Sequence, residues 1–367
     1  MTSEISVQIR RIPPVRALTV RRSLSSKEEA ASALAEIAPL VADVAIGPPL
    51  ALQLGFPRDD GIPFELAVPV GGLLEREGFT CKTLPGLSVL SFVHEGSLTE
   101  GAEGENFADS WKRFVQFVSE RQILVGDDPS RYVFHDGLDS VGTADEHVTL
   151  EVLYPYHLPM WLEAFEAGLS QCARPDAVER ILAGSRDLTE ALDGGQAAEW
   201  VQAAIGRLDE EVPDERSRAC ILNACAHHYI VQSGEILRSA WDESNHDLRK
   251  LVKRITEEAL LGGNYRIDES GREPQLIIER RPARQEAHDE ATDPAEKRYH
   301  ACFCPLVRDA ILEGKQISRT FCHCSGGWYV QEWENVFGEK PEVRLVNTMV
   351  EGADACVFAV KIPPKFW

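Results

Sequence analysis

Four of the nine cysteines in this 367-residue chain stand in two Cys-x-Cys pairs, Cys302 and Cys304 in HACFCP and Cys322 and Cys324 in FCHCSGGWY. On an extended segment such spacing puts both sulfurs on one face. Four thiolates complete a tetrahedral zinc site, and a closed set of that kind is structural, because no coordination position stays open for a substrate. Zinc is therefore the cofactor these residues predict. An iron–sulfur cluster uses the same soft donors, and no cofactor is needed if the thiols only fill a core. Cys356 in GADACVFAV, Cys220 and Cys225 are the alternate ligands. Cys225 and His228, three apart on an expected helix, also make a conceivable nucleophile and base. Cys81 and Cys172 stand alone and read as structural.

The second candidate chemistry belongs to two glutamates. In TLEVLYPY, alternation puts Glu151, Leu153 and Pro155 on one strand face and Val152, Tyr154 and Tyr156 on the other. FELAVPV divides the same way, with Glu65 and Ala67 against Leu66, Val68 and Val70. The apolar sets are expected to pack on helices, and the glutamates to line a groove. A carboxylate in apolar surroundings costs roughly several kcal/mol unless paired. A ligand cation could supply the partner, and a carboxylate so placed becomes a stronger base. Glu151 is thus a binding candidate and a catalytic one.

These residues need elements to hold them. Residues 1–165 read as strands with two helical interruptions in the order βαββ twice, and Glu65-Leu-Ala-Val-Pro69 can be laid over Glu151-Val-Leu-Tyr-Pro155. The second helix shows one apolar stripe, Trp111, Phe114, Val115 and Val118. Residues 172–262 change to a helical period and read as four helices. One of them runs through DERSRACILNACAHHYIVQSGEILRSAW. Residues 263–367 form a small cysteine-rich α+β unit, and the whole of 172–367 is expected to make one module. The charged stretch 263–298 reads as a surface excursion or flexible loop. The fold class is α+β.

The net charge is −21, of which residues 1–160 carry −10 (13 basic against 23 acidic side chains). An acidic surface spread along the chain repels phosphate backbones, which argues against nucleic-acid partners. No apolar run is long enough for a membrane span, and the N-terminus has no signal-peptide pattern, so a cytoplasmic location is expected. There, clustered cysteines ligate metal or do chemistry more often than they form a disulfide framework. Edge strands would permit a homodimer.

The duplicated βαββ pattern, with FVHEG at 92–96 and EVLYP at 151–155, resembles the gyrase-inhibitor-like (GyrI-like) effector-binding domain over about residues 4–160. The resemblance implies a cleft for an amphipathic, often cationic small molecule, with Glu151 on its floor. Glu65, Tyr154, Tyr156, Phe92 and Trp111 complete the expected lining. Some members resemble hydrolases of strained cyclopropane rings, which would make Glu151 the residue that activates water. The transcription-factor relatives carry a helix-turn-helix ahead of the domain; here the repeat starts at residue 4, which disfavours a DNA-binding regulator.

CFCPLVRDAI, CHCSGGWYVQEWENVFG and VEGADACVFAV resemble a bacterial cysteine-rich family of unknown function. That family is distantly similar to the 4-vinyl-reductase-type domain and to thiazoline-carboxylate hydrolases, through a late Gly352…Cys356-Val-Phe358 strand. The resemblance spans about 175–365 and implies a metal beside a ligand pocket. The expected function is a small-molecule sensor or binding protein with a metal-bearing cysteine module. A hydrolase acting through Glu151 and a thiol or redox enzyme are the alternatives.

Overall fold

Pro13-Pro14 and Pro85-Gly86 interrupt two otherwise continuous strand-like runs, because proline cannot donate to a sheet ladder. The first break separates β1 (Gln8–Ile12) from β2 (Val15–Leu24); the second separates β5 (Thr80–Leu84) from β6 (Leu87–Gly96). The structure is a computed structural model and describes residues 5–57, 61–100, 104–141, 143, 146–188, 192–228 and 231–367. The chain divides into two compact units, Met1–His157 with Ile230–Gln232, and Leu158–Tyr229 with Ser233–Trp367.

In the first unit the repeat is explicit. The first half is β2, α1 (Lys27–Ile37), β3 (Leu50–Gln53) and β4 (Ile62–Pro69). The second half is β6, α2 (Phe107–Glu120), β7 (Ser130–Asp136) and β8 (Val148–Pro155). One antiparallel sheet runs β1-β6-β8-β7-β3-β4-β2-β5, joined at its middle by β7 and β3. The two short strands exchange halves: β1 pairs with β6, and β5 pairs with β2. Within each half the closing strand, β4 or β8, lies between its two neighbours, so Glu65 and Glu151 hold equivalent places.

Both helices start on a side-chain cap. Ser26 accepts the Glu29 amide at 3.2 Å, and Asn106 accepts the Asp109 amide at 3.1 Å. The apolar stripe of α2 is rotated from the expected one. Phe107, Ser110 and Phe114 are buried, Trp111 is half-buried and Val115 is exposed. The reason lies in FVHEG: the buried His94 reaches across from β6 to the Ser110 hydroxyl at 3.0 Å, which draws that side of the helix onto the sheet.

The second unit opens with α3 (His157–Cys172), α4 (Pro175–Ile181), α5 (Gly194–Glu211) and α6 (Glu215–Asn223). α7 (Val231–Glu243) and α8 (Leu248–Glu257) follow. The long helix expected through DERSRACILNACAHHYIVQSGEILRSAW is instead α6 and α7. Residues 224–228 between them are not helical, and Tyr229 and Ile230 lie outside the described residues. Cys225 and His228 therefore do not share a helix face. α6 stops where it meets α12 (His323–Phe337): a Cβ on Gly327 would lie 2.0 Å from the Asn223 carbonyl oxygen and 2.7 Å from the Ala226 methyl. The Gly-Gly pair of CSGGWY is what lets the two backbones touch.

The charged stretch 263–298 is structured rather than an excursion. β9 (Gly263–Asp268) and β10 (Gln275–Arg280) pair antiparallel, followed by α9 (Gln285–Glu290) and α10 (Pro294–Ala301). Leu276 and Ile278 are fully buried on alternate positions of β10; on its other face Ile277 is buried too and Glu279 is exposed. α11 (Pro305–Leu312), β11 (Val343–Asn347) and β12 (Val357–Lys361) complete a second sheet in the order β11-β12-β10-β9. Its core gathers Leu251, Ile255, Ile278, Trp333 and Phe358. The architecture is α+β. Among the described residues, no helix is long and apolar enough to cross a membrane.

Two candidate faces of the first unit and a thiol nest in the second

Register decides which side chains share a face. Val133 and Val93 flank Glu151 across β7 and β6, while Leu52 flanks Glu65 across β3 and continues a row through Arg131, Leu153 and Ser91, in which Leu153 is two residues on from Glu151. Glu151 and Glu65 are thus on one face of the sheet. Phe92, Val152 and Tyr132 form a row on the other, where α2 packs. Tyr154 and Trp111 belong to this helix-covered side, with ring centroids 5.8 Å apart. Tyr156 lies just past β8, is buried, and has its phenol pushed up to about 12 by that burial. The six residues expected around one cleft are therefore divided by the sheet, two carboxylates on one side and an aromatic cluster on the other.

Neither carboxylate is left for a ligand to pair. Glu151 is held by the Arg10 guanidinium and, at 3.3 Å, by His135 Nε2. Lys82 Nζ lies 2.7 Å from Glu65. Both carboxylates are buried, whereas both cations remain well exposed. Held between a guanidinium and an imidazole, Glu151 reaches a reacting atom only if one of them moves aside.

On the helix-covered face the notable group is one that sequence reading missed. Lys27, the first residue of α1, directs its ammonium onto the rings of Phe107, Trp111 and Tyr132, with Nζ 5.3, 5.4 and 5.2 Å from their centroids. Cation–π contacts of this length are attractive. Burial nevertheless holds the lysine below its ordinary pKa, offset in part by Glu28. Tyr132 is pushed up to about 12 by burial, and its hydroxyl lies 3.2 Å from Gln53 Oε1. The box continues into Phe114 and Tyr154, whose rings are 5.5 Å apart. In sequence, KEEAASAL reads as an ordinary charged helix start, so nothing marks Lys27 as inward-facing.

In the second unit the two Cys-x-Cys pairs do come together. Cys302 ends α10, Cys304 precedes α11, and Cys322 and Cys324 flank the first residue of α12. Burial pushes Cys302, Cys304 and Cys324 up to about 12 and raises Cys322 well above the ordinary thiol value, and the first two and Cys322 also feel neighbouring thiols. Cys356, before β12, acts on both Cys302 and Cys322 and so joins the nest. Cys225 is buried, its thiol directed at the Ile221 carbonyl, and Cys324 Sγ lies 3.5 Å from the Cys225 carbonyl oxygen. Cys220 is exposed and lies apart from the nest. Arg280 and Arg308 are near enough to favour charge on Cys302, Cys356 and Cys304. As positioned, however, no three His, Cys, Asp or Glu side chains among the described residues form a set that could hold a metal ion.

No protein-family model matches the chain, and neither does any curated protein. Several solved structures are similar to part of it. The C-terminal domain of EcmrR is 13% identical, with 42% of this chain and 98% of that one covered at a TM-score of 0.34. SAV2435 bound to tetraphenylphosphonium is 16% identical, covering 41% of this chain and 93% of that one at 0.29. A hydrolase from Listeria innocua is 10% identical, covering 42% and 93% at 0.29. Likenesses this distant leave function to be argued from this chain's own geometry.

Proposed function

We propose that the first unit binds small lipophilic cations, with their charge on the aromatic box of Phe107, Trp111 and Tyr132. The observation that carries this reading is Lys27: the box already surrounds a positive charge, and that charge belongs to the protein. A ligand whose cation is spread over apolar groups loses less hydration on entering than an ammonium does, so it can displace the lysine. Trp111 and Tyr154, expected as ligand contacts from sequence, line the same side. The carboxylate face is the second place a cation could go, by replacing Arg10 on Glu151 or Lys82 on Glu65.

Calorimetric titration with tetraphenylphosphonium separates the two. The expected result is binding that strengthens about tenfold in Lys27→Met, where the competing charge is gone, and that is lost in Trp111→Ala. Binding unaffected by either change but lost in Glu151→Gln would put the ligand on the other face. No binding by the wild type or by Lys27→Met would overturn the reading.

For the thiol nest we propose a soft metal ion, zinc in the first instance, on Cys302, Cys304, Cys322 and Cys324, with Cys356 as a possible replacement ligand. Support comes from the gathering of five thiols beside two arginines. The side chains must close in to hold an ion, and no reaction is assigned to it.

A further inference from the structure

Of the nine cysteines, Cys172 and Cys220 are the two that are exposed. They come from different helices, α3 and α6, yet they are neighbours. The cause lies one turn earlier on α3. A Cβ on Gly168 would lie 3.1 Å from the Ile221 Cα, 3.2 Å from its Cγ2 and 3.3 Å from its carbonyl oxygen. With glycine there, the two helices touch backbone to backbone. Cys172 is four residues beyond Gly168 and so on the same helix face, and Cys220 precedes Ile221. This crossing sets the two thiols side by side, close enough that Cys220, after partial burial, helps raise the Cys172 thiol above its ordinary pKa. In the nest Cys302 and Cys322 are buried and Cys304, Cys324 and Cys356 are half-buried, and Cys81 is half-buried with its thiol directed at the Gly72 carbonyl, so no other thiol is as accessible as these two.

We propose that Cys172 and Cys220 are a site of reversible oxidation, closing to a disulfide with a peroxide and reopening with a small thiol. One thiolate attacks the peroxide O–O bond, forming a sulfenic acid and, with a proton, one water. The second thiolate attacks that sulfur and expels hydroxide, which takes a proton to become a second water as the S–S bond forms. Two thiols thereby lose two electrons and two protons to one hydrogen peroxide. In reverse, two equivalents of a small thiol are oxidised to their disulfide. The bond ties the end of α3 to α6, with α4 and α5 in the closed loop. Exposed, adjacent thiols suit a transient, readily reduced bond better than a permanent one.

The test uses the full chain, reduced and then given one equivalent of hydrogen peroxide, followed by alkylation and peptide mapping without reductant. The expected product is a single 172–220 cross-link that dithiothreitol removes, with the nest thiols alkylated only after unfolding. Its formation should slow in Gly168→Ala, which pushes the helices apart. The oxidised wild type should melt at a higher temperature than the reduced form, a difference absent from Cys172→Ser and Cys220→Ser. Mapping on the wild type needs no variant to fold. Absence of the 172–220 peptide, or its loss to pairs involving other cysteines or to sulfinic acid, would overturn the proposal.

Discussion

Arg10 and Lys82 hold equivalent places in the two halves of the first unit. Arg10 lies on β1, opposite Val89 of β6, which in turn is opposite Pro155 of β8. Lys82 lies on β5, opposite Ala17 of β2, which is opposite Pro69 of β4. Each cation thereby reaches the glutamate four residues before that proline, Glu151 or Glu65. The repeat thus duplicates an ion pair as well as a pattern of strands, and each pair joins a strand from one half to a strand of the other.

Removing either cation leaves a buried carboxylate without its charged partner. Because both cations are substantially exposed and screened, Arg10→Ala and Lys82→Ala should each cost about 1–2 kcal/mol in urea unfolding. His135 remains on Glu151, so Arg10→Ala should be the milder. A double-mutant cycle of Arg10→Ala with Glu151→Gln should give clear coupling, and one of Arg10→Ala with Glu65→Gln almost none.

Lys27 makes stability depend on pH in the alkaline range. Its pKa is lower folded than unfolded, where it has the ordinary value of 10.5. Below the folded value both states are protonated and the full burial penalty applies. Between the two values the unfolded chain holds a proton that the folded one lacks, so stability climbs with pH and levels off above 10.5. Lys27→Met should be more stable at neutral pH and lack that climb. Identical curves for the two proteins from about pH 7 to about pH 11 would show that the ammonium is not buried in the box.

His94 acts in the acid range. Burial depresses its pKa below the ordinary 6.5, with the Ser97 carbonyl and Glu105 offsetting in part. Its Nε2 donates to the Ser97 carbonyl at 3.2 Å, and Nδ1 lies 3.0 Å from the Ser110 hydroxyl, which also meets Glu105 Oε1 at 3.1 Å. Its contribution is therefore complete above 6.5 and is lost as pH falls from there towards the folded value. His94→Gln, which can keep both hydrogen bonds, should show a shallower acid limb in thermal melts.

Gly327 and Gly206 are both helical glycines with opposite expected responses to alanine. A Cβ at 327 collides with α6, so Gly327→Ala should destabilise by about 3 kcal/mol or more. Gly206 on α5 is exposed with nothing within 4 Å, so Gly206→Ala should stabilise by about 0.5–1 kcal/mol. Circular dichroism melts of the two variants would check this.

Elemental analysis and an absorption spectrum of protein purified anaerobically test the nest. About one zinc per chain without visible colour is expected, falling in Cys322→Ser. Iron with visible absorbance would make it a cluster site. Absence of metal, with thiols reactive only on unfolding, would return all five to the core.

The repeat, the face alternation of β4 and β8 and the gathering of the two Cys-x-Cys pairs were legible because each is written in local spacing. What pairs with a glutamate was not. Arg10 lies 141 residues from Glu151, and its role depends on β1 crossing to the other half. Lys27 escaped for the same reason, since its aromatic neighbours come from α2 and β7. The split of the expected ligand contacts between two faces follows from the period of two itself: Glu151 and Tyr154 are three apart and must point opposite ways. β9 and β10 were hidden because charged residues surround them: Arg266 and Asp268 sit on the outer face of β9, and the apolar Leu276–Ile278 run of β10 is only three residues long.

The exchange of β1 and β5 also bears on how the unit is made. Neither half can finish its own sheet, and β1, made well before β6, has no partner until β6 emerges. Glu65 waits for Lys82, and Arg10 waits for Glu151 at the far end of the unit. A nascent chain stopped between the halves would carry an open sheet edge and an unneutralised inner carboxylate. Separate expression of either half should give aggregates, while mixing the two during refolding should restore a soluble unit.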